Sequence, residues 1–223
     1  MIVAERKPLS EIIAKVEGYN RLLIVGCNTC VAVCQAGGEK EVAMLAAALR
    51  LRFRDRQPAM EIIERSVERQ CEEEFNQVLA EDIAHAEAVL SMACGVGVQT
   101  LVEQFPDAIV LPAVNTKFMG RPEERGVWSE RCIGCGNCVL DKFGGICPIT
   151  RCSKSLLNGP CGGSENGRCE VDPENLDCAW QLIYDRLARL GQLDRLLEIE
   201  PPKDWSTARY GGPRKIVRKD MVL

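Results

Sequence analysis

Residues 21–34, RLLIVGCNTCVAVC, decide the fold. Their first six, RLLIVG, form a short apolar run between polar neighbours, which predicts a buried strand. Cys27 follows it directly, with Cys30 and Cys34 on the loop or first turn behind. The same pattern then repeats along the chain. Gly37 and Gly38 precede EKEVAMLAAALRLRF, where Val42, Leu45, Ala46, Leu49 and Phe53 recur at helical spacing. A second strand is predicted at residues 60–63, before a polar helix from about residue 72 to 79. A third, residues 88–93, leads through Cys94, Gly95, Val96 and Gly97 into a helix carrying Val98, Leu101, Val102 and Phe105. A fourth, residues 108–114, closes the series, and PLSEIIAKVEG (8–18) opens it as a helix ended by Gly18.

Strands alternating with amphipathic helices predict an α/β domain over residues 1–115, a short parallel sheet of the flavodoxin-like or Rossmann-like kind. In such sheets ligands bind in the crevice at the carboxyl ends of the strands. Cys27 follows the first strand, Cys71 the second, and Cys94 ends the third. Thiols 67 positions apart are therefore expected to converge on one edge of the sheet. Cys27, Cys30, Cys34, Cys71 and Cys94 exceed by one the four thiolates that a single four-iron cube takes. One of them can be a buried small hydrophobe, and a redox dithiol at Cys27 and Cys30 stays open. Gly26, Gly37, Gly38, Gly95 and Gly97 would let backbone approach an inorganic core at this edge. Taken alone, Gly95-x-Gly97 is too weak a signal for a nucleotide.

Thirteen cysteines in 223 residues are the chain's main compositional feature. Their number is odd, and Met1 to Ser10 carries Glu5, Arg6 and Lys7 with no apolar h-region. With 46% hydrophobic residues available for a core, a disulfide scaffold is not needed. The expectation is a cytoplasmic protein whose thiols serve metal or redox chemistry. No apolar run reaches the ~20 residues of a membrane span. A net charge of −4 speaks against nucleic acid as a partner. The single histidine, His85, sits in a helical stretch and reads as a solvated position. Sites built on imidazole are thereby excluded, and any metal centre must be thiolate-rich.

Beyond residue 115 the character changes. Residues 116–131 show no convincing strand and read as a linker. Residues 132–180 are dense in glycine and cysteine with little periodicity, so their backbone is expected to fold around metal. Cys132-x2-Cys135-x2-Cys138 is the spacing by which a tight loop wraps a [4Fe–4S] cube, and Cys147-Pro148 adds the cysteine–proline pair of the bacterial ferredoxin run. The gap of eight residues after Cys138 departs from the ferredoxin gap of three. Zinc ribbons prefer two well-separated cysteine pairs. With Cys152, Cys161, Cys169 and Cys178 the module offers eight ligands, enough for two four-thiolate sites. One division unites Cys132, Cys135, Cys138 and Cys178, but the sets can equally be crossed. Two [4Fe–4S] clusters are expected here and a third in the N-terminal domain, with zinc in place of one as the alternative. Residues 181–200 return to helix, with Leu182, Ile183, Leu187 and Leu190 in one stripe. Residues 201–223 carry Trp205 and Tyr210 among Arg209, Arg214, Lys215, Arg218 and Lys219, and read as an extended partner-binding tail or a disordered one.

The segments GICPITRCSKSLLNGPCGG (145–163), GRCEV (167–171) and DCAW (177–180) resemble the methylenetetrahydrofolate reductase C-terminal family. GCNTCVAVC (26–34) with AGGEKEV (36–42) resembles the same family. The resemblance implies the small, metal-carrying (MetV-type) subunit of anaerobic reductases. Its partner would be a separate flavin-containing catalytic barrel subunit that reduces methylenetetrahydrofolate. It further implies that this chain relays electrons to that flavin from ferredoxin or further donor subunits. A zinc-holding scaffold without redox role is the alternative.

Overall fold

The computed structural model describes residues 1–218 and 220 and divides into two compact units, residues 1–129 and 130–223. The first contains β1 (Ile2–Arg6), α1 (Leu9–Val16), β2 (Arg21–Cys27), α2 (Cys30–Val33), α3 (Glu39–Arg52), β3 (Glu61–Val67), α4 (Glu73–Asn76), α5 (Ala80–His85), β4 (Ala88–Ser91), α6 (Gly95–Gln104), β5 (Val110–Pro112) and β6 (Val114–Glu124). Strand β7 (Val127–Cys132) leads into the second unit, which holds α7 (Pro148–Arg151) and α8 (Ala179–Leu190).

The fold is mixed α/β, with a parallel sheet in the order β3-β2-β4-β5. That order places a topological switch point between β2 and β4, the position at which open α/β sheets take ligands. Strand β2 is buried on both faces, as a strand between two helical layers must be. Leu22 and Ile24 join Ile12, Val16, Val42 and Leu49 on one side. Leu23 and Val25 join Leu79, Ile83, Val89 and Leu101 on the other. Burying each such side chain contributes about 1.5–3 kcal/mol.

Several boundaries differ from the sequence expectation. The supposed linker, residues 116–131, is instead β6 and β7, which form a second sheet in the order β1-β6-β7. Its partner is the N-terminal segment, with Ile2 opposite Met119 and Arg6 opposite Val114 in antiparallel register. Pairing between segments so distant in sequence leaves no local periodicity to read. The predicted fourth strand divides: Val110–Pro112 belongs to the parallel sheet, and Val114 starts the antiparallel one. The polar helix at 72–79 is a single turn, α4, followed by a 3-10 turn and then α5.

In the second unit α8 buries Trp180, Ile183 and Leu187 at helical spacing against Phe143. Trp180 meets Phe143 edge-on at 5.5 Å and donates its indole N–H to the Leu156 carbonyl at 3.1 Å. The helix stops at Leu190 because Gly191 takes a left-handed conformation, φ 66°, so the expected helical segment to residue 200 gives way to a 3-10 turn over Leu193–Leu197. Residues 203–214 are not an extended arm: they fold back onto the loop after β7. Lys219, assigned to that arm by sequence, lies outside the described residues, as do 221–223. No helix among the described residues is long and apolar enough to cross a membrane.

Candidate functional site

All thirteen cysteines are free thiols. In the first unit the parallel sheet positions three of them as its topology dictates. Cys27 is the last residue of β2, Cys94 precedes α6 just beyond β4, and Cys71 lies past the end of β3. They are close enough that Cys94 and Cys71 each oppose ionisation of Cys27, and Cys94 opposes that of Cys71. Burial is the larger cause and pushes both thiols up, while the backbone N–H groups of Gln70 and Thr29 partly offset it at Cys27.

The edge is braced by Gln70, which the sequence reading missed because it stands in a polar stretch. It is wholly buried. Its amide nitrogen donates to the carbonyls of Val25 and Gly26 at 2.9 and 3.0 Å, and its amide oxygen accepts from the Ser91 hydroxyl at 2.6 Å. Gln70 thus ties the ends of β2 and β4 together beneath the thiols. A side chain on Gly97 would begin 2.8 Å from the Gln70 Cβ, so α6 approaches only as glycine.

Cys34 is placed differently from the three edge thiols. It is buried against β1, where its Sγ accepts from the Ala4 N–H at 3.4 Å and lies 3.5 Å from the Ala4 and Val31 carbonyls. Burial raises its pKa as well. Cys34 therefore has the surroundings of the small buried hydrophobe that a five-thiol set leaves over. Cys30 opens α2 and is half-buried. His85 ends α5, exposed, with Nε2 3.2 Å from the Glu61 carboxylate, as its reading as a solvated position requires.

In the second unit Cys132 ends β7, and Cys135 and Cys138 follow on a loop in which Gly134 and Gly136 have φ of 64° and 86°. Those left-handed glycines curl the backbone, and the Gly134 N–H donates to Cys132 Sγ at 3.3 Å. Cys147 precedes α7, where its Sγ accepts from the Thr150 N–H at 3.4 Å. Cys152, Cys161, Cys169 and Cys178 line one small cleft of about 20 Å³. Cys178 thus lines the same cleft as Cys152, Cys161 and Cys169.

Around this cleft Ser153 Oγ lies 3.3 Å from Cys169 Sγ and holds that thiol below its ordinary pKa. Cys161 Sγ donates to the Glu170 carboxylate at 3.1 Å, and Lys154 pairs with the same carboxylate. Ser153 and Glu170 lie within the segments 145–163 and 167–171 that carry the resemblance, but nothing in those segments singled either out. Among the described residues no three Cys, His, Asp or Glu side chains close on one point as a metal-ion group. What fits a thiolate-held metal is the donor set and the backbone: cysteines on left-handed glycine turns, with N–H groups already directed at Sγ.

These two units define a thiol-rich α/β protein carrying a glycine–cysteine module, with its only histidine on the surface. Residues 111–206, under half of the chain, match the family model described as methylene-tetrahydrofolate reductase C terminal. That segment, which is similar to the family, holds all eight cysteines of the module. No curated protein and no solved structure matches the chain.

Proposed function

We propose that this chain is the small, metal-carrying subunit of a methylenetetrahydrofolate reductase complex, a cytoplasmic electron relay to the flavin of a separate catalytic subunit. The observation that supports it most is the overlap of the family segment with the eight-cysteine module. Bound iron–sulfur clusters would supply one-electron storage at potentials set by charge, burial and hydrogen bonds. The chain's part is to present thiolates and to direct N–H groups at them. Cys132, Cys135 and Cys138 would hold one [4Fe–4S] centre, with Cys147 as the remaining thiol of the module. Cys27, Cys71 and Cys94, with Cys30 as the fourth ligand, would hold another at the sheet edge. Ferredoxin or a further donor subunit would deliver the electrons.

A second reading applies to the remaining four thiols. A cleft of about 20 Å³ has room for about one water-sized occupant, which suits a single tetrahedral zinc better than a four-iron cube. There Cys152, Cys161, Cys169 and Cys178 would fix the fold without redox chemistry.

The relay is tested by mixing the reduced, anaerobically purified chain with the flavin-containing reductase subunit and following flavin absorbance. Stoichiometric bleaching is expected. A flavin that stays oxidised, while a chemical reductant still bleaches it, overturns the relay.

A further inference from the structure

Three donors from the C-terminal segment converge on the backbone of the Cys132-x2-Cys135-x2-Cys138 loop. Arg214 Nη1 donates to the Gly134 carbonyl at 2.7 Å, Thr207 Oγ1 shares its proton between the carbonyls of Cys135 and Asp204, each at 2.9 Å, and Lys203 Nζ donates to the Asn137 carbonyl at 3.2 Å. The segment is itself braced. Arg214 Nη1 also donates to the Thr207 carbonyl at 3.0 Å, Lys203 lies over the Trp205 ring at 5.8 Å, and Trp205 meets Tyr210 edge-on at 5.7 Å. The fit is close as well. A Cβ on Gly136 would begin 2.1 Å from the Thr207 carbonyl oxygen.

A trans peptide is planar, so its C=O and the N–H of the next residue point in opposite directions. Fixing the carbonyls of Gly134, Cys135 and Asn137 toward the segment turns the N–H groups of Cys135, Gly136 and Cys138 to the other side of the loop. Successive N–H groups turned to one side of a loop form an anion-binding concavity, and N–H donation to sulfur tunes a thiolate centre. Lys203 and Arg214 add two positive charges behind it.

Resting on the function proposed above, we propose that residues 203–214 are an intramolecular clamp. In it Lys203, Thr207 and Arg214 act as positioning residues that hold the loop's peptides in the orientation a thiolate-bound metal requires. None of the three is a ligand. They act through Gly134, Cys135 and Asn137.

The test uses the full chain, reduced and metal-free, titrated with zinc alone while alkylation of each cysteine is read by mass spectrometry. The zinc concentration that half-protects Cys132, Cys135 and Cys138 is expected to rise about tenfold in Thr207→Val and in Arg214→Met, the scale of one lost hydrogen bond. Thr207→Ser, which keeps the hydroxyl, is expected to restore the wild-type value. Unchanged protection of Cys152, Cys161, Cys169 and Cys178 in the same samples reports that the variants are folded. Lys203→Met gives the same reading should either substitution disturb the fold. Equal protection of the loop in wild type and variants overturns the clamp and leaves the proposed function standing. A wild-type loop that zinc never protects overturns both the clamp and the loop's place as a metal site.

Discussion

The Thr207 hydroxyl stands 2.9 Å from the carbonyl oxygen of Cys135, a residue 72 positions earlier in the chain. The C-terminal segment thereby becomes part of the cysteine module.

Gly136 and Gly126 share a φ of 86°, but a Cβ on Gly136 meets the Thr207 carbonyl at 2.1 Å whereas one on Gly126 meets nothing within 4 Å. Gly136→Ala should therefore detach the segment, and trypsin should cut after Arg209 and Arg214 several-fold faster. Gly126→Ala carries the same backbone strain and should leave that cleavage rate unchanged. Equal rates in the two variants would contradict the packing.

Gln70→Leu removes three buried hydrogen bonds that join the ends of β2 and β4. Leaving their partners unpaired should cost roughly 3 kcal/mol, lowering Tm by about 6–12 °C for a chain of this size. Circular dichroism melts of the metal-free chain measure this. A shift under about 2 °C would show that Gln70 does not brace the edge.

The thiols should titrate in opposite directions. Cys27, Cys34 and Cys71 lie above the ordinary value of 9.0, chiefly through burial. The folded state holds those protons more tightly than the unfolded one. Their contribution to stability is thus complete below pH 9.0 and is lost as the pH rises beyond it. Cys169 is lowered by the Ser153 hydroxyl, so its contribution is present above 9.0 and fades as the pH falls through the folded value. In the metal-free chain, pulse alkylation across pH should show Cys169 ionising below 9.0 and Cys34 above it. The reverse order would refute the assignment of their surroundings.

The parallel sheet was legible because Leu22 to Val25 alternate between two covered faces and so appear as one apolar run. From that sheet the meeting of Cys27, Cys71 and Cys94 followed by topology. The second sheet was not legible. Strand β6, VNTKFMGRPEE, carries a glycine, a proline and many exposed positions, and it is a strand because the N-terminus pairs with it. The Met1 amino group reaches the Gly120 carbonyl at 3.1 Å across 119 positions. Gln70 and Thr207 were hidden for the same reason. Each is a polar residue in a polar stretch whose partner is remote, and no local period encodes a remote hydrogen bond. The grouping of Cys178 with Cys152, Cys161 and Cys169 likewise depends on how α8 packs and not on spacing.

The proposed relay requires that the Cys132-x2-Cys135-x2-Cys138 loop and the edge thiols Cys27, Cys71 and Cys94 hold redox metal. The most direct test is the iron, sulfide and zinc content of the anaerobically purified chain, with EPR of the reduced sample. About eight irons with matching sulfide, about one zinc, and EPR signals from reduced clusters are expected. Zinc alone, with no iron, no sulfide and no EPR signal, would contradict the relay and make the chain a structural subunit.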